Sequence, residues 1–200
     1  MPRAPFFLAS FAALLSLVSA GQALACACCT NYGQRNVNVV ALDSGRRAEI
    51  ESMRFAETAQ LFVGEGSPDD SEGIATPADA YALKASWQGD QLVFDFRDER
   101  GHSGTLTLKL PGKISIFEVD PRDSPDQGHG PGLYKEWKLT SHAAGSGVFA
   151  TGMGPSQFIT LIVQGHGNAC TSAGDFSHWT LVVEGPKGNY TLFGELVRSQ

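Results

Sequence analysis

From residue 81 onward, apolar residues occupy every second position in one run after another. Tyr81, Leu83, Ala85 and Trp87 alternate with polar or small residues. Leu92, Phe94 and Phe96 share one side of the next run, with Asp95 and Arg97 on the other. Leu106, Leu108 and Leu110 follow, and later Trp179, Leu181 and Val183. A period of two is the pattern of a strand with one face buried and one face wet. Gln88-Gly89-Asp90 separates two of these runs and predicts a hairpin. Pro111-Gly112 predicts a turn with Pro at the first central position and positive φ at Gly112. The sequence Gly185-Pro186-Lys187-Gly188-Asn189 turns the chain before Tyr190, Leu192 and Leu196 close it. Many short strands spaced by turn residues predict an all-β chain, an antiparallel β-sandwich or β-barrel with mostly short connections.

Other segments carry weaker signals. Leu133, Trp137 and Leu139 mark a strand, and residues 148–150 suggest a short one. The continuous apolar run 158–163 predicts a strand buried on both faces. Residues 120–132, rich in Pro, Asp and Gly, read as a loop, as do residues 64–79. Residues 37–42 suggest an edge strand after the polar stretch 30–38. Residues 48–63 are ambiguous, because Ile50, Met53, Glu57 and Leu61 approach helical spacing while other apolar residues alternate. The expectation there is a strand with a bulge.

The chain of 200 residues begins with Arg3 and then an apolar run over residues 6–18. Small residues follow, ending in Ala23-Leu24-Ala25. This is the three-part form of a secretory signal peptide, and the run is shorter than the span of about 20 residues that crosses a membrane. The expected division is a signal peptide over residues 1–25, a Cys-rich N-terminal arm over 26–45, and a single β domain over 46–200. Cleavage after Ala25 would leave Cys26 first. A lipid anchor at Cys26 is the minority reading, because Leu24 sits one place too late for a lipoprotein signal. Cleavage after Ala27 is a third. The expected location is periplasmic or secreted. Fifteen Lys and Arg against 21 Asp and Glu give a net charge of −6. A balance this acidic lacks the basic face that nucleic acid or anionic lipid requires.

The chemistry lies in the cysteines. Cys26, Cys28 and Cys29 cluster at the expected mature N-terminus, and Cys170 is the fourth. In an oxidising compartment the default is a pair of disulfides. Bridging the adjacent Cys28 and Cys29 would be strained, because the bond wants Cα atoms about 4.4–6.8 Å apart. Cys170 then pairs with Cys28 or Cys29 and staples the arm to the β domain. The sharper reading is a soft-metal site for Cu(I) or Zn(II), since thiolates select those ions. His166, placed by the pattern in a loop before Cys170, and His178 after it would complete the ligand set. The spacing matches neither a zinc ribbon nor a haem-attachment motif. Protein of this kind reads as an exported binding protein, with copper or zinc as the expected cofactor. The alternative is a disulfide-stapled interaction or small-ligand-binding module without metal.

Other constellations are weaker. Gly101-His102-Ser103-Gly104 lacks the spacing of a serine-hydrolase elbow. Asp120, Asp123 and Asp126 are not spaced as a calcium loop. His102, His129 and His142 sit in Gly- or Ser-rich surroundings and read as solvated. Trp87, Trp137 and Trp179 read as core, with a ligand-stacking platform as the sharper alternative. No acid/base pair or nucleophile stands out, which makes an enzyme the less favoured class. The stretches 133–139 (LYKEWKL) and 168–179 (NACTSAGDFSHW) resemble uncharacterised bacterial secreted proteins. That resemblance implies an exported bacterial protein and carries no activity.

Overall fold

The computed structural model describes residues 35–119, 133–167 and 176–197. Twelve strands and one helix follow in chain order: β1 (Arg35–Ala41), α1 (Ser44–Ser52), β2 (Arg54–Phe55), β3 (Thr58–Leu61), β4 (Ala80–Gln88), β5 (Gln91–Arg97), β6 (Ser103–Lys109), β7 (Lys113–Val119), β8 (Leu133–His142), β9 (Ala144–Gly147), β10 (Phe158–Gly167), β11 (His178–Glu184) and β12 (Tyr190–Val197). They form one antiparallel sheet in the order β1-β7-β8-β10-β11-β12-β3-β4-β5-β6-β9, with β2 added beside β12. The all-β expectation holds. Among the described residues the sheet is not closed by hydrogen bonds, and β1 and β9 form its two edges.

Its roll is imposed by the chain. β8 lies near one end of the strand order and β9 at the other, yet only Ala143 separates them. A flat sheet would hold these positions many strands apart, at about 4.8 Å per strand. The sheet must therefore curl until β6 comes round to meet the chain leaving β8, where it pairs with β9. Ala143 donates its N–H to the Gln157 carbonyl, which holds the crossing point.

Side chains fill the inside of this roll. Leu139, Ile159, Leu161, Val163, Leu181, Val183 and Leu192 are fully buried, as are Phe94, Phe96 and Trp179. The alternation of the sequence puts them there, because every second residue of a strand faces the same way. Phe55 meets Phe94 edge-on at 5.2 Å and Trp179 at 5.8 Å, and Phe96 meets Phe149 at 5.3 Å. Such pairs contribute about 0.5–1.5 kcal/mol each beyond the area they bury. The indole of Trp179 fits because its cross-strand partner is Gly194. A Cβ on Gly194 would come within 2.8 Å of the indole ring. The core reading of Trp137 and Trp179 holds, and Trp87 packs half-buried against the same core.

One buried polar group ties the β11–β12 turn to the start of β10. Gln157 is fully buried, and its amide donates to the Gly188 carbonyl at 2.9 Å and accepts from the Lys187 N–H at 2.9 Å. Both ends of the amide are satisfied, so its burial carries no desolvation penalty of the unpaired kind. Gly185, at φ 151°, leaves the room it needs, since a Cβ there would collide with the Gln157 Oε1.

Several local expectations are corrected. Residues 44–52 are helical, not strand. Asp43 caps α1 by accepting from the Arg46 N–H at 2.9 Å, which satisfies a donor the helix leaves free. Ile50 anchors the helix in the core. Only β2 and β3 in that segment are extended, with residues between them out of register. The edge strand expected over residues 37–42 is β1, which begins two residues earlier, at Arg35, inside the stretch read as arm. Gly112 does not have positive φ, and β6 and β7 do not pair; β7 turns away to lie between β1 and β8. The expected short strand near Val148 is a 3₁₀ turn over Ala150–Gly152, preceded by β9. Within the run 158–163, Ile159, Leu161 and Val163 are buried while Phe158 is 40% exposed, so one face is wet. The sequence run is apolar on both sides because β10 carries Phe158 and Ile162 on its outer face.

Tyr190 is buried, and its hydroxyl has no hydrogen-bond partner among the described residues. Burial, and the neighbouring Tyr81, push its pKa above the ordinary 10.0. The folded state therefore keeps a proton that the unfolded chain loses above that pH, so stability falls as pH rises past 10.0. Tyr190→Phe should lessen this alkaline loss, and near neutral pH should be neutral or stabilising by up to about 1 kcal/mol. Urea midpoints from neutral to alkaline pH check both.

Candidate functional site

A packed interior leaves the ends and outside of the sheet for chemistry. At one rim, the segment 68–80 faces the loop that joins β5 to β6, and a cleft of about 500 Å³ lies between them. Each wall is held by backbone hydrogen bonds. In the first wall, Ala75 donates its N–H to the Val148 carbonyl at 2.8 Å, and Ala78 donates to the Tyr81 hydroxyl at 2.9 Å. The second wall is a tight loop in which Asp98 N–H donates to the His102 carbonyl at 3.0 Å and Gly101 N–H to the Asp98 carbonyl at 3.1 Å.

Asp98 organises this loop. It is 7% exposed, and its carboxylate accepts from the His102 backbone N–H at 2.8 Å and lies 2.8 Å from the His102 Nδ1. Burial alone would push its pKa up. The hydrogen bonds from the His102 ring and N–H and from the Arg100 N–H, with the attraction of the imidazole, outweigh burial and hold it below the ordinary 3.8. Asp98 is thus an anion near neutral pH, and an anion beside Nδ1 selects the tautomer that carries its proton there. In the neutral ring Nε2 is then the acceptor. The imidazole is 46% exposed and lines the cleft, with no partner for Nε2 among the described residues.

Across the cleft, the Thr76 hydroxyl is buried and has no partner among the described residues. Asp69, Asp79 and Glu99 join Asp98 in the lining, against Arg100 and His102. The arrangement offers hydrogen-bond acceptors and negative charge, and it suits a small ligand rich in donors. His102 is exposed, as its sequence surroundings imply, and the structure adds the contact with Asp98. Its sequence signal was an Asp four residues before the His, with Gly101 between them in a turn, a spacing that only the hairpin converts into contact.

The residues singled out in the sequence lie elsewhere. Cys26, Cys28, Cys29 and Cys170 lie outside the described residues, as do His129 and residues 120–132. His166 is not in a loop. It belongs to β10, opposite Tyr134 of β8, because the β8 pairing extends the strand through Gly167. His178 begins β11 opposite Gln164, is exposed, and lies 2.8 Å from the Ser177 hydroxyl through Nδ1. His142 stacks on Phe158 at 4.9 Å. No group of three metal-ligating side chains is gathered among the described residues. No helix among them is long and apolar enough to cross a membrane.

The lowered pKa of Asp98 gives the loop an acid limit. Its contribution is present above the unfolded value near 3.8 and is lost as pH falls through the lower folded value. Asp98→Asn should be less stable than the parent near neutral pH, and the difference should shrink as pH drops below 3.8. Denaturation midpoints measured across that range check it. No protein-family model matches this chain, and neither a curated protein nor a solved structure matches it.

Proposed function

We propose that this is an exported β-sheet protein that binds a small, donor-rich ligand in the rim cleft. The observation that carries the reading is the His102 imidazole, held through Nδ1 at 2.8 Å from buried Asp98 and lining a cleft of about 500 Å³. A volume of that order matches small-molecule sites, which run about 300–1,000 Å³. The acidic lining favours uncharged or cationic ligands such as polyols and amines over dicarboxylates. A ligand-observed NMR screen of polyols, amines and dicarboxylates tests it. Binders should come from the first two groups, and His102→Ala should weaken them about tenfold or more, in line with the loss of one hydrogen bond. Binding untouched by this variant would sink the cleft as the site.

A second reading keeps the thiolate metal site. It is supported by the pairing of β10 with β11, which sets His178 opposite Gln164 and carries His166 two residues further along β10, on either side in sequence of the segment that contains Cys170. In this reading the reduced protein binds one Cu(I) or Zn(II) ion through at least two of Cys26, Cys28 and Cys29, with Cys170, His166 or His178 completing the set. Thiolate binding releases protons and weakens at low pH. Competition of the reduced, full-length protein with a chromophoric Cu(I) chelator tests it. Cys28→Ser with Cys29→Ser should abolish competition, while His102→Ala should leave it unchanged. Equal competition by the double variant would refute this reading and leave the cysteines to the disulfide staple.

A further inference from the structure

The two edges of the sheet are treated differently. β9 is four residues of Ala, Gly and Ser, and so short an edge offers little to pair with. β1 has seven residues, without proline or lysine, and all seven are in register with β7. Val37 and Val39 on this strand are 64% and 68% exposed. They face the same side, and Val37 sits opposite Phe117, whose ring meets Tyr134 at 6.0 Å. An apolar ridge therefore runs across β8 and β7 and ends at an edge that has no partner strand among the described residues. Exposed, flat, apolar edges are what soluble proteins avoid unless the edge is used.

The ladder shows which backbone groups are open. Leu42 donates its N–H to the Gly112 carbonyl at 3.0 Å, in continuation of the β1–β7 register. Hydrogen-bonded positions alternate in an antiparallel pair. Residues 36, 38 and 40 therefore bond β7, and the N–H and C=O groups of Arg35, Val37, Val39 and Ala41 point away from it.

We propose that β1 is the interface of a two-fold dimer, pairing antiparallel with β1 of a second copy of this chain. The strand is complementary to itself. With the two-fold axis at Asn38, Val37 meets Val39 of the other copy, Arg35 meets Ala41, and all seven residues overlap. Every open N–H and C=O then finds a partner, because the outward residues are odd-numbered and this register joins odd to odd. The four valines form one patch on the outer face, continuous with Phe117. No like charges meet, since Arg35 is the one charged residue in the strand, and in the dimer its position lies diagonal to the other copy's Asp43. A ribbon of this length covers less than the roughly 800 Å² per partner of a standard interface, so the dimer dissociates on dilution.

The test is the mass of the full-length mature protein by light scattering, from about 1 μM to 1 mM, a range that brackets weak dimers. The expected result is a concentration-dependent dimer. Val37→Lys with Val39→Lys sets lysines directly opposite one another and should raise the dimer dissociation constant at least about tenfold. Both sites are exposed, so the monomer should keep its circular dichroism spectrum. A second measurement reads the register. Asn38 faces its own copy as a non-hydrogen-bonded pair, with Cα atoms about 4.5 Å apart, within the range a disulfide spans. Oxidised Asn38→Cys should give a dimer with a 38–38 linked peptide by mass spectrometry, whereas Val40→Cys, opposite Asn36, should not. A monomer at every concentration overturns the proposal. So does a dimer that tolerates both lysines and forms no 38–38 link, which would place the interface elsewhere.

Discussion

The passage of the chain from β8 into β9 through Ala143 is the constraint on which the rest of the fold depends. It ties one end of the strand order to the other and leaves the sheet no choice but to roll. Rolling turns the alternating faces of eight strands inward together. A single interior results, and large side chains fill it, with Trp179, Phe94 and Phe96 at its centre. Interiors packed at close to crystal density have no space to host a ligand. The filling of the roll therefore decides where binding chemistry can sit.

That place is the rim, where loops need not pack. The cleft is formed by two segments with different origins. One is an irregular stretch pinned at Ala75 and Ala78. The other is a hairpin loop whose shape depends on one buried carboxylate. Asp98 serves structure and site with the same atoms. It closes the loop by accepting the His102 N–H, and it orients the His102 ring through Nδ1. A structural carboxylate of this kind orients the ring of its neighbour. The same logic appears in Gln157, which is buried with both amide ends satisfied and so fixes one turn against another.

The strands β7 and β1 lie outside the roll, as an extension on the far side of β8. Their inner face still contributes to the core through Ile114, while the outer face carries Val37, Val39 and Phe117. The extension exists because β6 and β7 part company at Pro111 and Gly112. With Gly112 outside the left-handed region, the link does not fold back as a tight hairpin, and Leu42 N–H caps it from the β1 side. The edge left open by this arrangement is long and apolar, and the opposite edge is short and small.

The sequence by itself determined the fold class and most of the core. The alternation in β4, β5, β11 and β12 named Tyr81, Leu83, Phe94, Phe96, Trp179, Leu181 and Leu192 as inward residues, and all are buried. It could do so because a strand's two faces are written at a fixed period of two, whatever the strand pairs with. Where local signals were mixed, as over residues 48–63, the outcome depended on contacts the period does not encode: the Asp43 cap and the anchoring of Ile50 made a helix. Strand order lay beyond the sequence, because neighbours such as β12 and β3 are far apart along the chain, and nothing local states that they pair. For the same reason the cleft was invisible. Asp98 and His102 are near in sequence, but segment 68–80 comes to face them only after β4 and β5 have paired, and a loop histidine becomes a candidate ligand contact only when a buried anion holds its other nitrogen.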